Sequence, residues 1–337
     1  MKFETLEALK GACLTLPTGD ETAAIAASDR QDNLTKPRGS LGRLEELAIW
    51  LARWQKNPIP KLNQVDIHVF AGSHGVTARG VSAYPADVTA QMVANYQAGG
   101  AAINQLAQMA EASLHIIPLM IDTPTADFTQ APALSDAEFL DAVEVGYDAI
   151  DENSDLVCLG EMGIGNTTVA AALAHALLGG EAHDWTGLGT GVDDAGLARK
   201  IAVIDEAVAF HRAKTNDTLA LFQALGGREL AAMFGATLSC RQKSIPMVVD
   251  GFVASAAVLP LMMINPSGLD HAVAGHVSAE NAHRKLLTHM KMPPLLDLNM
   301  RLGEGSGAAL AVNILRGALV CHSGMATFAE AGVSTES

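Results

Sequence analysis

Short apolar segments that run into glycine-rich turns, each followed by a stretch of helical periodicity, constrain this 337-residue chain most. Val65-Asp-Ile-His-Val-Phe70 reads as a strand that ends in the turn Ala-Gly-Ser-His-Gly75. Leu114 to Ile121, Asp155 to Leu159 and Ile245 to Val249 read as three further strands. Between them apolar residues recur every three or four positions. Leu44, Leu47, Ala48 and Leu51 form one such stripe, and Ile201, Ile204, Val208 and His211 form another. Strands separated by helices predict a parallel sheet with right-handed crossovers. Ser135-Asp-Ala-Glu138 has the capping-box pattern that opens a helix, and Pro124 to Pro132 reads as a loop. The first 60 residues and the last 45 read as helical, so the two chain ends are expected to pack together beside the α/β body.

Composition narrows the function. Hydrophobic residues make up 49% of the chain but aromatics only 4%, so the core is built from aliphatic side chains and 13 Met. With 31 Gly among many Ala, close helix–helix and helix–strand approach is expected. Net charge is 22 − 37 = −15. Such a chain repels nucleic acid and anionic lipid, yet one pocket can still be locally positive. The four cysteines, Cys13, Cys158, Cys240 and Cys321, form no C-x-x-C pair. That excludes a zinc ribbon and a disulfide framework and fits a reducing cytoplasm. The N-terminus lacks a signal-peptide core. Asp250 interrupts the apolar stretch Met247 to Ile264, leaving a run too short to span a bilayer. A cytoplasmic, non-membrane protein is expected.

Three segments carry candidate chemistry. Leu159-Gly-Glu-Met-Gly-Ile-Gly-Asn-Thr-Thr168 leaves a strand and enters an apolar helix. Glycines 163 and 165 let backbone amides approach a ligand, the helix start is electropositive, and Asn166 and Thr167 add short polar groups. This suits a phosphate, although it is neither a Walker A loop nor a full dinucleotide fingerprint. A tight capped turn is an equal reading, except that Glu161 inside a phosphate loop demands a role. Leu302-Gly-Glu-Gly-Ser-Gly307 precedes another helix. Glu304 between glycines suits a general base, though a first-turn Glu that merely stabilises its helix is commoner. The segment Ala71 to Gln91 carries Ser, His, Tyr and Gln at a strand end, where parallel-sheet proteins bind ligands. His74 there is more often structural. His276 and His283, seven apart, would share at most one helix face, and no histidine has metal-ligand spacing. Lys200 reads by default as a surface charge, but a phosphate pocket in so acidic a chain needs some cation.

These blocks together resemble the nicotinate-nucleotide–dimethylbenzimidazole phosphoribosyltransferases. The likeness runs through KPRGSLGRLEELA (36–48), AGSHGV (71–76), GVSAYPADVTAQMVANYQAGGAAIN (80–104), GEMGIGNTT (160–168), GRELAAMFGA (227–236), VVDGFVASAA (248–257) and PLLDLNMRLGEGSGAAL (294–310). It implies a Rossmann-like parallel sheet flanked by helices over 61–290, with a small helical domain from 1–60 and 291–337. It implies a homodimer without metal or cofactor that transfers phosphoribose from nicotinate mononucleotide to 5,6-dimethylbenzimidazole. The products would be α-ribazole 5′-phosphate and nicotinate, on the way to the lower-ligand nucleotide of cobalamin. By this resemblance Glu304 is the general base and Glu161 a second catalytic carboxylate. Gly163, Gly165, Asn166, Thr167, Lys200, Asp250, Gly251 and Ser278 hold the nucleotide, and Ser82, Tyr84, Gln91, Met162 and Leu302 hold the base. Three positions depart from the family pattern: Ser73 replaces Asp, Arg38 replaces proline and Ala282 replaces glycine. If position 282 required a positive φ, alanine would cost about 1 kcal/mol there. Two other classes remain to be weighed: an NAD-dependent oxidoreductase using the Gly163–Gly165 turn, and a non-catalytic nucleotide sensor, against which Glu304 argues.

Overall fold

The computed structural model describes residues 3–189 and 191–334. Residues 1, 2 and 335–337 of the expected end domain therefore lie outside the described residues. Helices α1 (Leu6–Leu14), α2 (Glu21–Asn33) and α3 (Arg43–Gln55) precede the sheet. Strand β1 (Val65–Ala71) leads through a 3₁₀ turn to α4 (Val88–Gln97), α5 (Ala102–Met109) and β2 (Ser113–Pro118). After α6 (Asp136–Asp148) comes β3 (Leu156–Met162). Five helices follow: α7 (Asn166–Leu178), α8 (Ala182–Trp185), α9 (Asp194–Arg212), α10 (Thr218–Leu225) and α11 (Arg228–Lys243). The chain closes with β4 (Met247–Val249), α12 (Phe252–Ile264), β5 (Ala272–Ala274), α13 (Asn281–Met290), α14 (Ser306–Gly324) and α15 (Phe328–Ala331).

The strands form one parallel sheet in the order β2-β1-β3-β4-β5. Alternation within each strand feeds two cores. Leu156 and Cys158 of β3 face α3, α5 and α14, while Val157 and Leu159 face the layer that includes α7, α11 and α12. A strand buried on both faces is mostly apolar, which is why β1 and β3 were legible. Asp66 and His68 are the buried exceptions in β1, and Asp66 accepts from Ser154 Oγ at 2.6 Å and pairs with His115 Nε2 at 2.9 Å. Strand β5 was not expected. It is three residues long, Ala-Val-Ala, and carries too little β-propensity to stand out. Strand β4 begins at Met247 rather than Ile245 because Pro246 has no N–H for a ladder.

The capping box at Ser135 forms as expected, with the Glu138 amide donating to Ser135 Oγ and the Ser135 amide to Glu138 Oε2. The chain ends meet. Helices α2 and α3 pack together, α3 packs on α14, and Leu34 bridges to Thr327. Helix α1 packs instead against α12 and α10. Ala282 is the second residue of α13 and is not among the positive-φ residues, so it carries no backbone strain. Among the described residues no helix is long and apolar enough to cross a membrane.

The expected close approach occurs where α6 crosses α11. A methyl on Gly146 would collide with the Ala232 carbonyl, and one on Gly235 with the Val143 carbonyl. Backbone cannot yield as a side chain does. Gly146→Ala should therefore lower the free energy of unfolding by about 3 kcal/mol, the upper end of ordinary overpacking costs. Gly11→Ala, on α1 with open space around it, should raise it by roughly 0.5–1 kcal/mol. Urea unfolding midpoints of the two variants check both signs.

Candidate active site

In this strand order the crossover direction reverses between β1 and β3, and ligands of such sheets bind at the carboxyl ends of the strands flanking that point. A cavity of about 430 Å³ opens there, within the usual size for a small-molecule site. The turns after β3, β4 and β5 line it, together with residues from the segment 81–92, Leu188, Gly189, Val192 and residues 301–304.

Two glycine motifs far apart in sequence build its floor. A Cβ at Gly160 would sit 2.6 Å from the Glu304 carbonyl carbon and 2.7 Å from the Gly305 nitrogen, so β3 lies backbone-to-backbone against the second motif. Gly303, Glu304 and Gly305 are all left-handed, at φ 80°, 64° and 83°. The Ser306 amide closes this turn on the Gly303 carbonyl at 3.0 Å. Glycine takes such a conformation freely, but for Glu304 it costs of order 1–3 kcal/mol and persists only because neighbours impose it. One of those neighbours is Asp250. Its carboxylate accepts from the Gly305 amide at 3.1 Å and the Ala308 amide at 2.9 Å, and so caps α14, whose N-cap glycine has no side chain for the task.

Glu161 and Glu304 both reach the cavity from this floor. Burial pushes Glu161 well above the usual carboxylate range, and the negative charges of Asp250, Glu229 and Glu304 add to it. The Asn166 side-chain amide donates to Glu161 Oε2 and opposes that rise. Burial also raises Glu304, while the nearby Tyr96 hydroxyl favours its ionised form and Asp250 disfavours it. A buried carboxylate raised in this way is a stronger base than one in water.

The N-terminus of α7 also lines the cavity. Gly165, at φ 92°, is its N-cap, and Asn166 and Thr167 form its first turn. Lys200 is 1% exposed and not the surface charge of the default reading. Its Nζ donates to Thr167 Oγ1 at 3.2 Å and to the Gly187 carbonyl at 2.9 Å. Burial lowers it to about 8. A helix start with a buried ammonium beside it has the donors and charge that a phosphate requires.

Of the expected residues, Gly163, Gly165, Asn166, Thr167, Lys200, Gly251, Ser278, Ser82, Tyr84, Met162 and Leu302 line the cavity with the two glutamates. Asp250 lies behind them in its capping role. Gln91 is exposed on α4, while Val88 and Met92 of the same helix line the wall. Sequence reasoning missed Arg301, whose Nη1 donates to the Gly189 carbonyl at 3.1 Å, and Glu280 and His276. His276 and His283 share no helix. His276 follows β5 and His283 lies on α13, yet their rings meet edge to face at 6.1 Å. His74 is buried behind the turn with Nε2 2.6 Å from Glu229 Oε1, the structural placement expected. Ser73 donates to the Ile121 carbonyl at 2.7 Å and braces the loop after β2, whereas Arg38 is exposed.

A family model described as phosphoribosyltransferase matches residues 16–333. A nicotinate-nucleotide–dimethylbenzimidazole phosphoribosyltransferase of Mesorhizobium japonicum is 62% identical over 334 residues, covering 99% of either chain. One of the same name from a Ruegeria species is 57% identical and covers 98% of either chain. A solved structure of CobT from Thermus thermophilus superposes with a TM-score of 0.87 at 40% identity, covering 94% of this chain and all (100%) of that one.

The Lys200 environment sets a pH dependence. An ammonium depressed to about 8 loses its charge as pH rises through that value, instead of near the ordinary lysine value of about 10.4. Binding of a phosphomonoester should weaken above pH 8, and Lys200→Ala should weaken it throughout and flatten the profile. Calorimetric titration with ribose 5-phosphate from below that value to well above it measures both.

Proposed function

The chain belongs to the phosphoribosyltransferase family, and we propose that it moves the phosphoribosyl group of nicotinate mononucleotide onto 5,6-dimethylbenzimidazole. It thereby releases nicotinate and makes α-ribazole 5′-phosphate for the lower-ligand nucleotide of cobalamin. The observation that carries this reading is the docking of the two glycine motifs. It brings a phosphate site and two carboxylates raised by burial into one cavity.

The 5′-phosphate sits at the start of α7 with Lys200, and Gly251 and Ser278 close the nucleotide side. The benzimidazole lies against Met162 and Leu302, near Ser82 and Tyr84, with Val88 and Met92 completing an apolar wall. Its unprotonated ring nitrogen attacks the anomeric carbon. The bond from that carbon to the pyridinium nitrogen breaks, and its electron pair returns to the ring, which leaves as nicotinate. The attacking ring has become cationic, and its N–H proton passes to the Glu304 carboxylate. Positive charge that develops on the ribose is met by Glu161 in whatever fraction is ionised, and the same side chain in its protonated form holds a ribose hydroxyl. The leaving group is already cationic, so the chemistry asks for no metal.

The free thiols of Cys13, Cys158, Cys240 and Cys321 support placing the protein in the cytoplasm. We infer a homodimer from the family resemblance, and light scattering of the purified protein tests it. The reaction itself is tested by mixing protein with nicotinate mononucleotide and a panel of bases and identifying products by chromatography. Absence of nicotinate release would overturn the reading, and spectral binding of NAD would favour an oxidoreductase.

General-base help contributes about 10²–10⁴-fold, so Glu304→Gln should lose turnover by that order while binding nicotinate mononucleotide almost normally. Glu161→Gln should lose less, and the reverse order would move the proton-accepting role there. Because burial raises Glu304, wild-type kcat should fall as pH drops through a value above the ordinary glutamate value of about 4.3. That acid limb should be missing from the residual activity of Glu304→Gln.

A second variant tests the base wall. Leu302→Ala should cost roughly 1–3 kcal/mol of kcat/KM for dimethylbenzimidazole and less for an unsubstituted imidazole. Equal losses with both bases would place the dimethyl edge elsewhere.

A further inference from the structure

Both ring nitrogens of His276 are buried without a hydrogen-bond partner, although the side chain lines the cavity. Its surroundings are specific. Nε2 lies 3.4 Å from Asp250 Oδ1, the carboxylate oxygen that accepts from the Ala308 amide. A Cβ at Gly307 would overlap the imidazole, and one at Gly251 would touch Nε2 at 3.5 Å. His283 closes the remaining side edge-on, with its own ring engaged by Ser255 Oγ at 3.0 Å and the Ser278 amide at 2.8 Å. The imidazole is thus wedged between the cavity, the first turn of α14 and the carboxylate that caps it.

We propose that His276 is a positioning residue for the general base. Through Asp250 it fixes the left-handed turn Gly303–Gly305 and so the place from which Glu304 meets the substrate. The inference rests on the phosphoribosyl-transfer reading above. Asp250 needs a partner because a buried carboxylate without a compensating donor is costly, and its two amide contacts leave part of its charge unmet. His276 supplies a third contact, with Nε2 3.4 Å from Asp250 Oδ1, from its place against the first turn of α14. Without it the carboxylate is free to rotate toward the cavity, and the turn then loses the anchor that holds a non-glycine residue in a strained conformation. The charged and titratable groups that face Glu304 from the surrounding elements are Asp250 after β4, Glu161 on β3 and Tyr96 on α4. His276 acts on Glu304 only by way of Asp250.

The test measures kcat, KM and the acid limb of kcat for wild type, His276→Ala, His276→Gln and Asp250→Asn, with nucleotide affinity determined directly. His276→Ala should lower kcat by about 10²-fold, the cost of misplacing a catalytic group by roughly 1 Å, while nucleotide affinity stays near wild type. Its acid limb should move to higher pH, because the unpaired Asp250 charge then bears more strongly on Glu304. His276→Gln keeps a donor near the Nε2 position and should recover most of the rate and the wild-type limb. Asp250→Asn removes the charge and should move the limb to lower pH. A merely structural histidine would lower thermal stability without moving either limb. Unmoved limbs in both His276→Ala and Asp250→Asn would overturn the proposal, as would a raised nucleotide KM with intact kcat in His276→Ala. If His276→Ala does not fold, the limbs of His276→Gln and Asp250→Asn decide it alone. A wild type that releases no nicotinate would overturn the transfer reaction itself, whereas an active wild type with unmoved limbs would remove only this role of His276.

Discussion

The site exists because β3 and the segment before α14 touch without side chains between them. Gly160 lies against the Glu304 carbonyl and the Gly305 nitrogen at distances that no Cβ could occupy. That contact joins residues far apart in the chain, and much else follows from it. It sets the left-handed turn, brings Glu304 to the cavity that Glu161 also lines, and places the start of α14 beside the carboxyl end of β3. Glycine is needed at 160 for space, and at 303 and 305 for conformation. The same residue type thus serves two different physical ends within one contact.

The cost of that arrangement is electrostatic. Glu161 is buried close enough to feel the negative charges of Asp250, Glu229 and Glu304, and Asp250 bears on Glu304 as well. Like charges in a poorly solvated site resist simultaneous ionisation, so protons are retained where compensation is weakest. Asp250 has the most compensation. Burial would raise it, but His276 and the amides of Ala308 and Gly305 hold it below the usual carboxylate range. Glu161 has the least, since only Asn166 opposes its rise. Glu304 lies between them, raised by burial but steadied by Tyr96. Of these, Asp250 is held as an anion that caps α14, Glu161 is the carboxyl most inclined to keep its proton, and Glu304 stands between them. Lys200 has no carboxylate at hydrogen-bonding distance among the described residues, which leaves it free for a phosphate.

Sequence pattern revealed the sheet because its central strands carry apolar residues on both faces, Asp66 and His68 of β1 being buried exceptions, and the glycine motifs because they stand at strand ends. It could not show that the motifs touch, since nothing in Gly160 or Gly305 records a partner so remote in the chain. Asp250 illustrates the same limit: nothing in its local sequence shows that its carboxylate caps α14 through the Gly305 and Ala308 amides. Lys200 was more legible than the default reading allowed. The buried residues of α9 are Gly196, Lys200, Val203, Ile204, Ala207, Val208 and His211, one stripe of helical period. Lys200 stands four residues before Ile204 on that stripe, so its position already argued for burial. Arg301 and His276 gave weaker signals, because irregular segments carry no periodicity from which to read a facing direction.

Helix α14 connects this chemistry to the chain ends. Its 19 residues span roughly 28 Å at 1.5 Å per residue, and both termini are pinned. Asp250 holds the first turn. At the other end Arg30 of α2 donates to the carbonyls of His322, Ser323 and Met325, where a cation also complements the helix dipole. His322, fully buried, is fixed in turn by Gln31 at 2.9 Å and by the Pro58 carbonyl at 2.9 Å. The helix connects the Arg30 contacts to the turn that bears Glu304. The N-terminal helices therefore do more than cover the sheet. They fix the far end of the helix whose near end follows Glu304, so the position of that carboxylate late in the chain depends on contacts made near its beginning.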